Sequence, residues 1–163
     1  MPRKPVVAII GAGRETEPAV SNARELGRLV AENGWVLVTG GRDSGVMNAA
    51  NKGAKQAKDS LTIGILPSRD VDISPAVDVA IITDTGEARN NIIVLSADVV
   101  IACGVEGAGT ASEVALALKN GKHVILLGGN EVAKAFFTGI GGHRIHIVES
   151  PEAAIRKVKE MGF

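Results

Sequence analysis

Three glycine-rich turns contain the residues of this sequence that could bind an anion. Gly11–Arg14 follows the strand-like segment VVAII, Gly40–Gly45 follows WVLVT, and Gly107–Thr110 follows DVVIAC. Each turn is expected to lead into a helix, whose first backbone N–H groups have no intrahelical acceptor. Because those donors and the helix dipole both favour negative charge, the turns predict a ligand with phosphate-like groups.

The first turn, with Gly11, Gly13 and Arg14, matches part of the dinucleotide-binding fingerprint. Thr16 stands where the third glycine belongs, and no acidic residue ends the second strand, so a standard NAD site is not expected. A tight strand-to-helix turn without a ligand is the alternative. We favour ligand contact.

The second turn offers the widest range of ligand contacts. Gly40 and Gly41 let the backbone approach a ligand closely, and Ser44 can cap the following helix or donate its hydroxyl. No Gly-Lys-Ser/Thr follows, so this is not a Walker loop. We expect ligand contacts along the turn and the start of its helix, at Gly40, Gly41, Arg42, Ser44, Gly45, Val46 and Met47.

The third turn contributes Gly107, Gly109 and Thr110, and Glu113 follows in the same segment. Thr110 and Glu113 have the spacing of a capping box, in which each side chain satisfies a backbone amide of the other residue. A carboxylate beside a phosphate-binding turn could equally accept ligand hydroxyls or act as an acid–base. The sequence leaves both roles open for Glu113.

A polar run, Arg89, Asn90 and Asn91, begins another helix-like segment. It could be a solvated first turn. It could also face the ligand, with the arginine making a forked contact to phosphate.

Runs of Val, Ile and Leu, typical of strands buried on both faces, alternate with helical patterns. The pattern predicts an α/β fold, with residues 1–163 as one Rossmann-like, doubly wound ligand-binding domain. Its mainly parallel sheet has about seven strands and helices on both faces, and the ligand sits at the carboxyl ends of the strands. Expected strands are Val6–Ile10, Trp35–Thr39, Leu61–Leu66, Val77–Ile82, Asp98–Cys103, His123–Leu127 and Arg144–Val148. Expected helices are Pro18–Asn33, Gly45–Lys58, Ala88–Ser96, Thr110–Asn120, Glu131–Thr138 and Pro151–Met161.

Composition argues against several other classes of protein. The formal net charge is zero and aromatic residues make up 2% of the chain, so we expect no nucleic-acid partner. The single cysteine, Cys103, ends an expected buried strand, and we interpret it as a thiol of the core. His123, His143 and His146 lack metal-ligand spacing, so no metal site is expected. No apolar run could span a bilayer, and we expect a cytoplasmic protein without a membrane partner.

Three blocks of the sequence resemble one protein superfamily. They are Thr39–Met47 (TGGRDSGVM), Ala88–Asn91 (ARNN) and Gly107–Glu113 (GAGTASE). They resemble the Rossmann-like superfamily once labelled lysine decarboxylase-like, which includes the LONELY GUY phosphoribohydrolases. Within it, ARNN and the run Gly109–Lys119 are most similar to the small molybdenum cofactor carrier proteins.

Departures from the hydrolase signature favour the carrier. Gly104-Val105-Glu106 stands in place of Pro-Gly-Gly, and Asn90 rather than lysine follows Arg89. The resemblance thus implies a protein that binds, protects and carries the molybdenum cofactor. This ligand is molybdopterin, a pterin with a terminal phosphate, holding molybdenum at a dithiolene. We interpret the chain as a binding protein rather than an enzyme.

The resemblance also implies roles for the site residues. The second and third turns would hold the phosphate or the oxo-metal group, and Glu113 would orient its helix or accept a hydrogen bond from the pterin. Charge would come from Arg14, Arg42 and Arg89, and hydrogen bonds from Ser44, Asn90, Asn91 and Thr110.

Two alternatives and one assembly prediction accompany this interpretation. A nucleoside 5′-monophosphate phosphoribohydrolase would use Glu113 as acid–base and Arg89 for the phosphate. A non-catalytic nucleotide-binding protein would bind the same ligand without cleaving it.

The apolar segments Ala88–Leu95 and Thr110–Lys119 predict a homodimer or homotetramer, and the resemblance suggests molybdoenzymes as recipients.

Overall fold

A sheet of seven parallel strands forms the centre of the computed structural model, which describes residues 3–163. The strands are β1 (Val6–Gly11), β2 (Val36–Thr39), β3 (Leu61–Leu66), β4 (Val79–Ile82), β5 (Val99–Cys103), β6 (His123–Leu127) and β7 (Ile145–Val148). They lie in the order β4-β3-β2-β1-β5-β6-β7, and every neighbouring pair is parallel. The predicted α/β fold is therefore confirmed.

Within residues 3–163, five α-helices lie between consecutive strands and a sixth follows β7. They are α1 (Ala19–Glu32), α2 (Gly45–Ala54), α3 (Arg89–Ser96), α4 (Ala108–Lys119), α5 (Glu131–Gly141) and α6 (Pro151–Glu160). The start of α6 follows its sequence signal, because the Ser150 side chain accepts a hydrogen bond from the Ala153 amide at 3.2 Å. The largest differences from the expected helix bounds are that α2 ends at Ala54 rather than Lys58, α5 ends at Gly141 rather than Thr138, and α4 begins two residues early.

Helices cover both faces of the sheet, and each face has its own apolar layer. The layer under α1, α2 and α6 takes Ile9 of β1 and Ile101 of β5, whereas the layer under α3, α4 and α5 takes Ile10 and Val100. Successive residues of one strand thus enter opposite layers. Burial on both faces explains why these strands are nearly continuous apolar runs.

The exception is β4, whose four residues are all exposed although its apolar sequence predicts burial. It is an edge strand that pairs only with β3. An apolar run such as VAII fits a central strand and an edge strand equally well. Only the order of the strands in the sheet shows that β4 lies at the edge.

The central pair of strands creates the crevice in which a ligand is expected. β1 pairs with β5, and Gly11 lies opposite Cys103 at their carboxyl ends. The chain leaves β1 towards β2 on one side and leaves β5 towards β6 on the other. Such a switch point opens a gap between the two connections, as in other doubly wound sheets.

Candidate functional site

A cavity of about 390 Å³ lies at the carboxyl ends of β1, β2 and β5. Residues from all three glycine-rich turns and from the start of α3 line it. The predicted site residues that it brings together are Gly11, Gly13, Arg14, Gly40, Arg42, Met47, Arg89, Asn90, Gly107, Gly109, Thr110 and Glu113.

The start of α4 has the properties of an open anion site. Gly107 occupies the N-cap position in an extended conformation, with φ of −150°, and it has no side chain to bond the first amides. A Cβ atom added at Gly107 or at Gly109 would meet no heavy atom within 4 Å. Packing therefore does not account for these two glycines, whereas close approach of a ligand to the backbone would.

Thr110 and Glu113 do not form the capping box that was one of the two roles the sequence left open. Helix α4 begins at Ala108, so Thr110 is already helical and the cap position belongs to Gly107. A capping side chain must come from the non-helical residue that precedes the helix. Both side chains are instead available to the cavity that they line.

Glu113 is a buried carboxyl group with only 7% of its surface exposed. Within residues 3–163 it makes no hydrogen bond and no ion pair, although it lines the cavity. Burial raises the pKa of Glu113 to about 8; the positive charge of Arg89 lowers it, and Glu87 adds to the increase. The neutral acid therefore predominates at neutral pH, and it can donate a hydrogen bond.

Arg89 provides a buried positive charge beside Glu113. It is 5% exposed, its Nη1 donates to Asn90 Oδ1, and the same atom lies 3.8 Å from Glu87 Oε2. Desolvation lowers the pKa of Arg89, but a guanidinium keeps its charge in proteins. Its Nε is buried and has no hydrogen-bond partner among residues 3–163. An orphaned buried donor at a cavity wall fits a missing anionic acceptor.

Asn90 links the two helices that bear the site. Its Oδ1 accepts from Arg89, and its Nδ2 donates to Ser112 Oγ at 3.1 Å. Ser112 Oγ in turn donates to the Gly109 carbonyl at 2.6 Å. Asn90 thus holds α3 against the first turn of α4, so its main contribution is to position Arg89.

Charged side chains surround the mouth of the cavity. Arg14 pairs with Glu106 at 3.5 Å, and their side chains are 69% and 39% exposed. The partners of the predicted arginines, Glu106 and Glu87, are lining residues that sequence reasoning did not assign to the site. Their acidic character was visible in the sequence. Arg14 and Glu106 are 92 positions apart, so their pairing depends on contacts across the crevice, whereas Glu87 lies close to Arg89 in the chain. The other unassigned lining residues are Ile9, Ile10 and Ala12.

Much of the second turn is bonded within the protein, which corrects its predicted role. The amide of Gly41 donates to Thr39 Oγ1 at 3.1 Å, and that of Val46 donates to the Ala12 carbonyl at 3.0 Å. The backbone at Gly45 has φ of +50°, and an added Cβ would lie 2.3 Å from Ala12 O. Packing and internal hydrogen bonds therefore explain Gly41, Gly45 and Val46, which lie outside the cavity lining together with Ser44 of the same turn.

The first turn also differs from its predicted position at a helix start. α1 begins only at Ala19, whereas the Ala12 carbonyl accepts from the first turn of α2. A Cβ added at Gly11 would meet the Val46 side chain at 2.7 Å. The turn therefore packs against α2 and lines the cavity without offering a helix N-terminus of its own.

Asn91 lies away from the cavity. Its Oδ1 accepts from Asn120 Nδ2 at 3.3 Å, at the other end of α4. On α3, Arg89 and Asn90 are buried and line the cavity, whereas the Asn91 side chain contacts the C-terminal end of α4. Of the predicted Arg-Asn-Asn run, only the first two residues reach the site.

Other residues with reactive side chains stand apart from this cavity. Cys103 is buried in the sheet, and desolvation raises the pKa of its thiol to about 12, as suits a core residue. His123 Nδ1 and His146 Nε2 are 3.0 Å apart because β6 and β7 pair, a proximity that sequence spacing did not reveal. Within residues 3–163, no three or more His, Cys, Asp or Glu side chains are grouped so that they could hold a metal ion. None of the helices in that range is long and apolar enough to cross a membrane.

A cavity with buried charge at the switch point of a doubly wound sheet is the arrangement of a Rossmann-like ligand-binding protein. The chain belongs to the SLOG cluster4 family, whose model matches residues 4–155. An uncharacterized protein of Archaeoglobus fulgidus is 41% identical over 149 residues, which are 91% of each chain.

Two solved structures of molybdenum cofactor proteins are similar to this chain over nearly its whole length. The molybdenum cofactor binding protein of the phototrophic bacterium Rippkaea orientalis is 51% identical, with a TM-score of 0.93 over 98% of both chains. The molybdenum cofactor carrier protein of Chlamydomonas reinhardtii is 45% identical, with a TM-score of 0.92 over 98% of both chains. The resemblance to molybdenum cofactor carriers is thereby confirmed.

Proposed function

We propose that this protein binds the molybdenum cofactor in the cavity at the strand ends and carries it to other proteins. The observation that carries the proposal is a cavity that holds two buried side chains beside an open helix N-terminus: Arg89, and Glu113, which has no hydrogen-bond partner within residues 3–163. Whole-chain similarity to proteins that bind or carry this cofactor supports the same ligand.

The cavity suits a ligand with anionic oxygen atoms at one end. The amides of Gly107–Thr110 would donate to a phosphate or an oxo-metal group, and Arg89 would supply the charge. Gly40 leaves room for this arrangement, because a Cβ there would lie 3.0 Å from Arg89 Nη2 and 2.6 Å from Met47 Sδ. Arg14 and Arg42 at the mouth would attract the ligand, and the Thr110 hydroxyl would add a hydrogen bond.

Analysis of the native ligand tests the proposal. The protein is purified from cells that make the cofactor, and the released material is examined for pterin fluorescence and for molybdenum by mass spectrometry. We expect both in constant ratio to the protein. Arg89→Ala, purified in parallel, should carry much less of each. Wild-type protein free of pterin and molybdenum would contradict the proposal.

One observation supports a second candidate, hydrolysis of a nucleoside 5′-monophosphate. A cavity glutamate whose pKa is raised to about 8 could serve as an acid–base. An enzyme of this type would release free base from adenosine or guanosine monophosphate and would lose about 10²–10⁴-fold in turnover on Glu113→Gln. We expect no release by the wild type. A protein that binds these nucleotides without cleaving them would retain them in equilibrium dialysis and yield no pterin.

The proposal also includes the oligomeric state of the protein, the proteins that receive the cofactor, and the cellular compartment. Ile92 and Leu95 are exposed on α3, and a second copy of the chain would cover them in a homodimer or homotetramer. Molybdoenzymes would receive the cofactor. The cytoplasmic location and the role of residues 1–163 as one ligand-binding domain stay predictions.

A further inference from the structure

The ionisable groups of the cavity are balanced in number. Three arginines (Arg14, Arg42 and Arg89) and three glutamates (Glu87, Glu106 and Glu113) line it. If all six were charged, the cavity would have no net charge with which to attract an anion. A neutral Glu113 leaves a net positive charge in the same space.

The glutamates differ in what surrounds them. Glu106 pairs with Arg14 at the mouth, and Glu87 lies 3.8 Å from Arg89 with a side chain that is 71% exposed. Glu113 alone among the three is buried, and no side chain or backbone group within residues 3–163 bonds its carboxyl group. A buried, unpaired carboxylate is costly, so the neutral acid is the favoured form.

The position of Glu113 places this acid where a ligand would bind. It lies about one helical turn beyond Thr110 on α4, and the residues at the start of that helix, Gly107, Gly109 and Thr110, line the same cavity. A carboxylate there would repel an oxyanion held by those amides. A carboxylic acid would instead donate to one of its oxygen atoms, in a charge-assisted hydrogen bond.

We propose that Glu113 is the hydrogen-bond donor that selects an oxyanion in this cavity, and that it remains protonated in the loaded protein. This inference rests on the proposed function and names the chemistry of the ligand end that Glu113 contacts. Above about pH 8, where the free protein has lost this proton, binding must take one proton from the solvent for each oxyanion. Loading is therefore favoured at neutral pH and weakened at alkaline pH.

Calorimetric titration with molybdate tests the proton uptake, because molybdate keeps its charge between about pH 6 and about pH 10. The affinity of the wild type for molybdate should be constant well below about pH 8. Above about pH 8 it should fall by up to about tenfold per pH unit. Buffers of different ionisation enthalpy should report uptake of about half a proton at pH about 8. Affinity that rises with pH would mean that Glu113 binds as a carboxylate and would overturn the proposal.

Variants of Glu113 separate donation from shape. Glu113→Gln keeps a donor but cannot titrate, so it should bind molybdate at neutral pH within about threefold of the wild type and show no proton uptake. Glu113→Met keeps similar bulk without a donor and should bind at least about tenfold more weakly. Glu106→Gln is the matched control, since it removes another cavity carboxylate and should leave the pH dependence in place. Loss of the pH dependence in Glu106→Gln alone would overturn the assignment.

The free protein offers a readout that does not depend on a ligand. The carboxyl carbon resonance of Glu113 should titrate near pH 8. Because the folded state retains this proton longer than the unfolded state, wild-type stability should fall relative to Glu113→Gln as pH rises from about 4.5 to about 8. A resonance that titrates below about pH 5, or parallel stability curves, would overturn the proposal.

Two oxyanion sources share this chemistry, the metal end and the phosphate end of the ligand. A parallel titration with methyl phosphate, a dianion above about pH 7, distinguishes them, since only the end that sits at Glu113 should show proton uptake. Uptake with neither anion, or no binding of either, overturns the inference. Cofactor recovered from the native protein would leave the proposed function intact in that case. Proton uptake without any recovered cofactor would overturn the proposed function alone.

Discussion

Among individual residues, Arg89 and Glu113 have side chains that the cavity buries without satisfying their hydrogen-bonding capacity. Asn90 uses both ends of its amide to hold Arg89 and Ser112, so it leaves the guanidinium fixed in place. The Nε of Arg89 has no hydrogen-bond partner in the part of the chain that the structure describes. A fixed donor that needs no reorganisation binds an anion at a smaller entropic cost.

Arg89→Ala should weaken the binding of molybdate by about 1.5–3 kcal/mol, or roughly 10- to 150-fold in Kd. The reason is the loss of a charged donor from a desolvated wall of the cavity. Calorimetry gives the Kd, and thermal denaturation verifies that the variant folds. Arg156→Ala, an exposed position on α6, is the control and should bind as the wild type does. Equal Kd values for Arg89→Ala and the wild type would place the anion elsewhere.

Among the elements, the starts of α2 and α4 look alike in sequence but differ in availability. Both follow a glycine-rich turn at the end of a strand. The Val46 amide of α2 donates to the Ala12 carbonyl, whereas the amides of Ala108, Gly109 and Thr110 in α4 donate to no backbone group within residues 3–163. The N-terminus of α4 is therefore more open to a ligand than that of α2.

Matched alanine substitutions at these two helix starts should give opposite results. Gly109→Ala has room for its Cβ and should change stability by less than about 1 kcal/mol, but its methyl group should reduce molybdate affinity. Gly45→Ala places a Cβ against the Ala12 carbonyl at a positive φ and should cost about 1–3 kcal/mol of stability or more. Chemical denaturation and calorimetry measure the two effects. Unchanged affinity in Gly109→Ala would remove α4 from the anion site.

In the whole molecule, apolar surface remains that a single copy of the chain does not cover. On α3, Ile93 and Val94 are buried in the core, whereas Ile92 and Leu95 are exposed. The edge strand β4 is exposed as well. Helix α3 is thus apolar on more than one side, and the core of one copy covers only one of them. A partner subunit would cover the other side.

Leu95→Glu should shift the protein towards a monomer, because it places a charge on the exposed face of α3. Leu95 is 47% exposed, so the monomer can solvate the new carboxylate. Light scattering at micromolar concentration measures the mass. Val132→Glu on α5, where the valine is 80% exposed, is the control and should keep the wild-type mass. A monomeric wild type, or dissociation caused only by Val132→Glu, would refute an interface at α3.

The sequence by itself determined the parallel sheet and the edge at which the site lies. Apolar runs with helical connections admit few topologies, and the turns after β1, β2 and β5 must then meet at the carboxyl ends. Arg89 and Glu113 could be selected from the local pattern and the resemblance. These features follow from residues close together in the chain.

Only the tertiary structure decided which groups remain free to bind. Of the two roles open to Glu113, capping is ruled out because α4 begins at Ala108, and the amide of Val46 donates to the carbonyl of Ala12 in another turn. Strand order placed β4 at an edge and brought His123 to His146. A local pattern records what a residue can donate or accept. Whether that capacity is already used depends on partners brought near by folding, and those partners are distant in sequence.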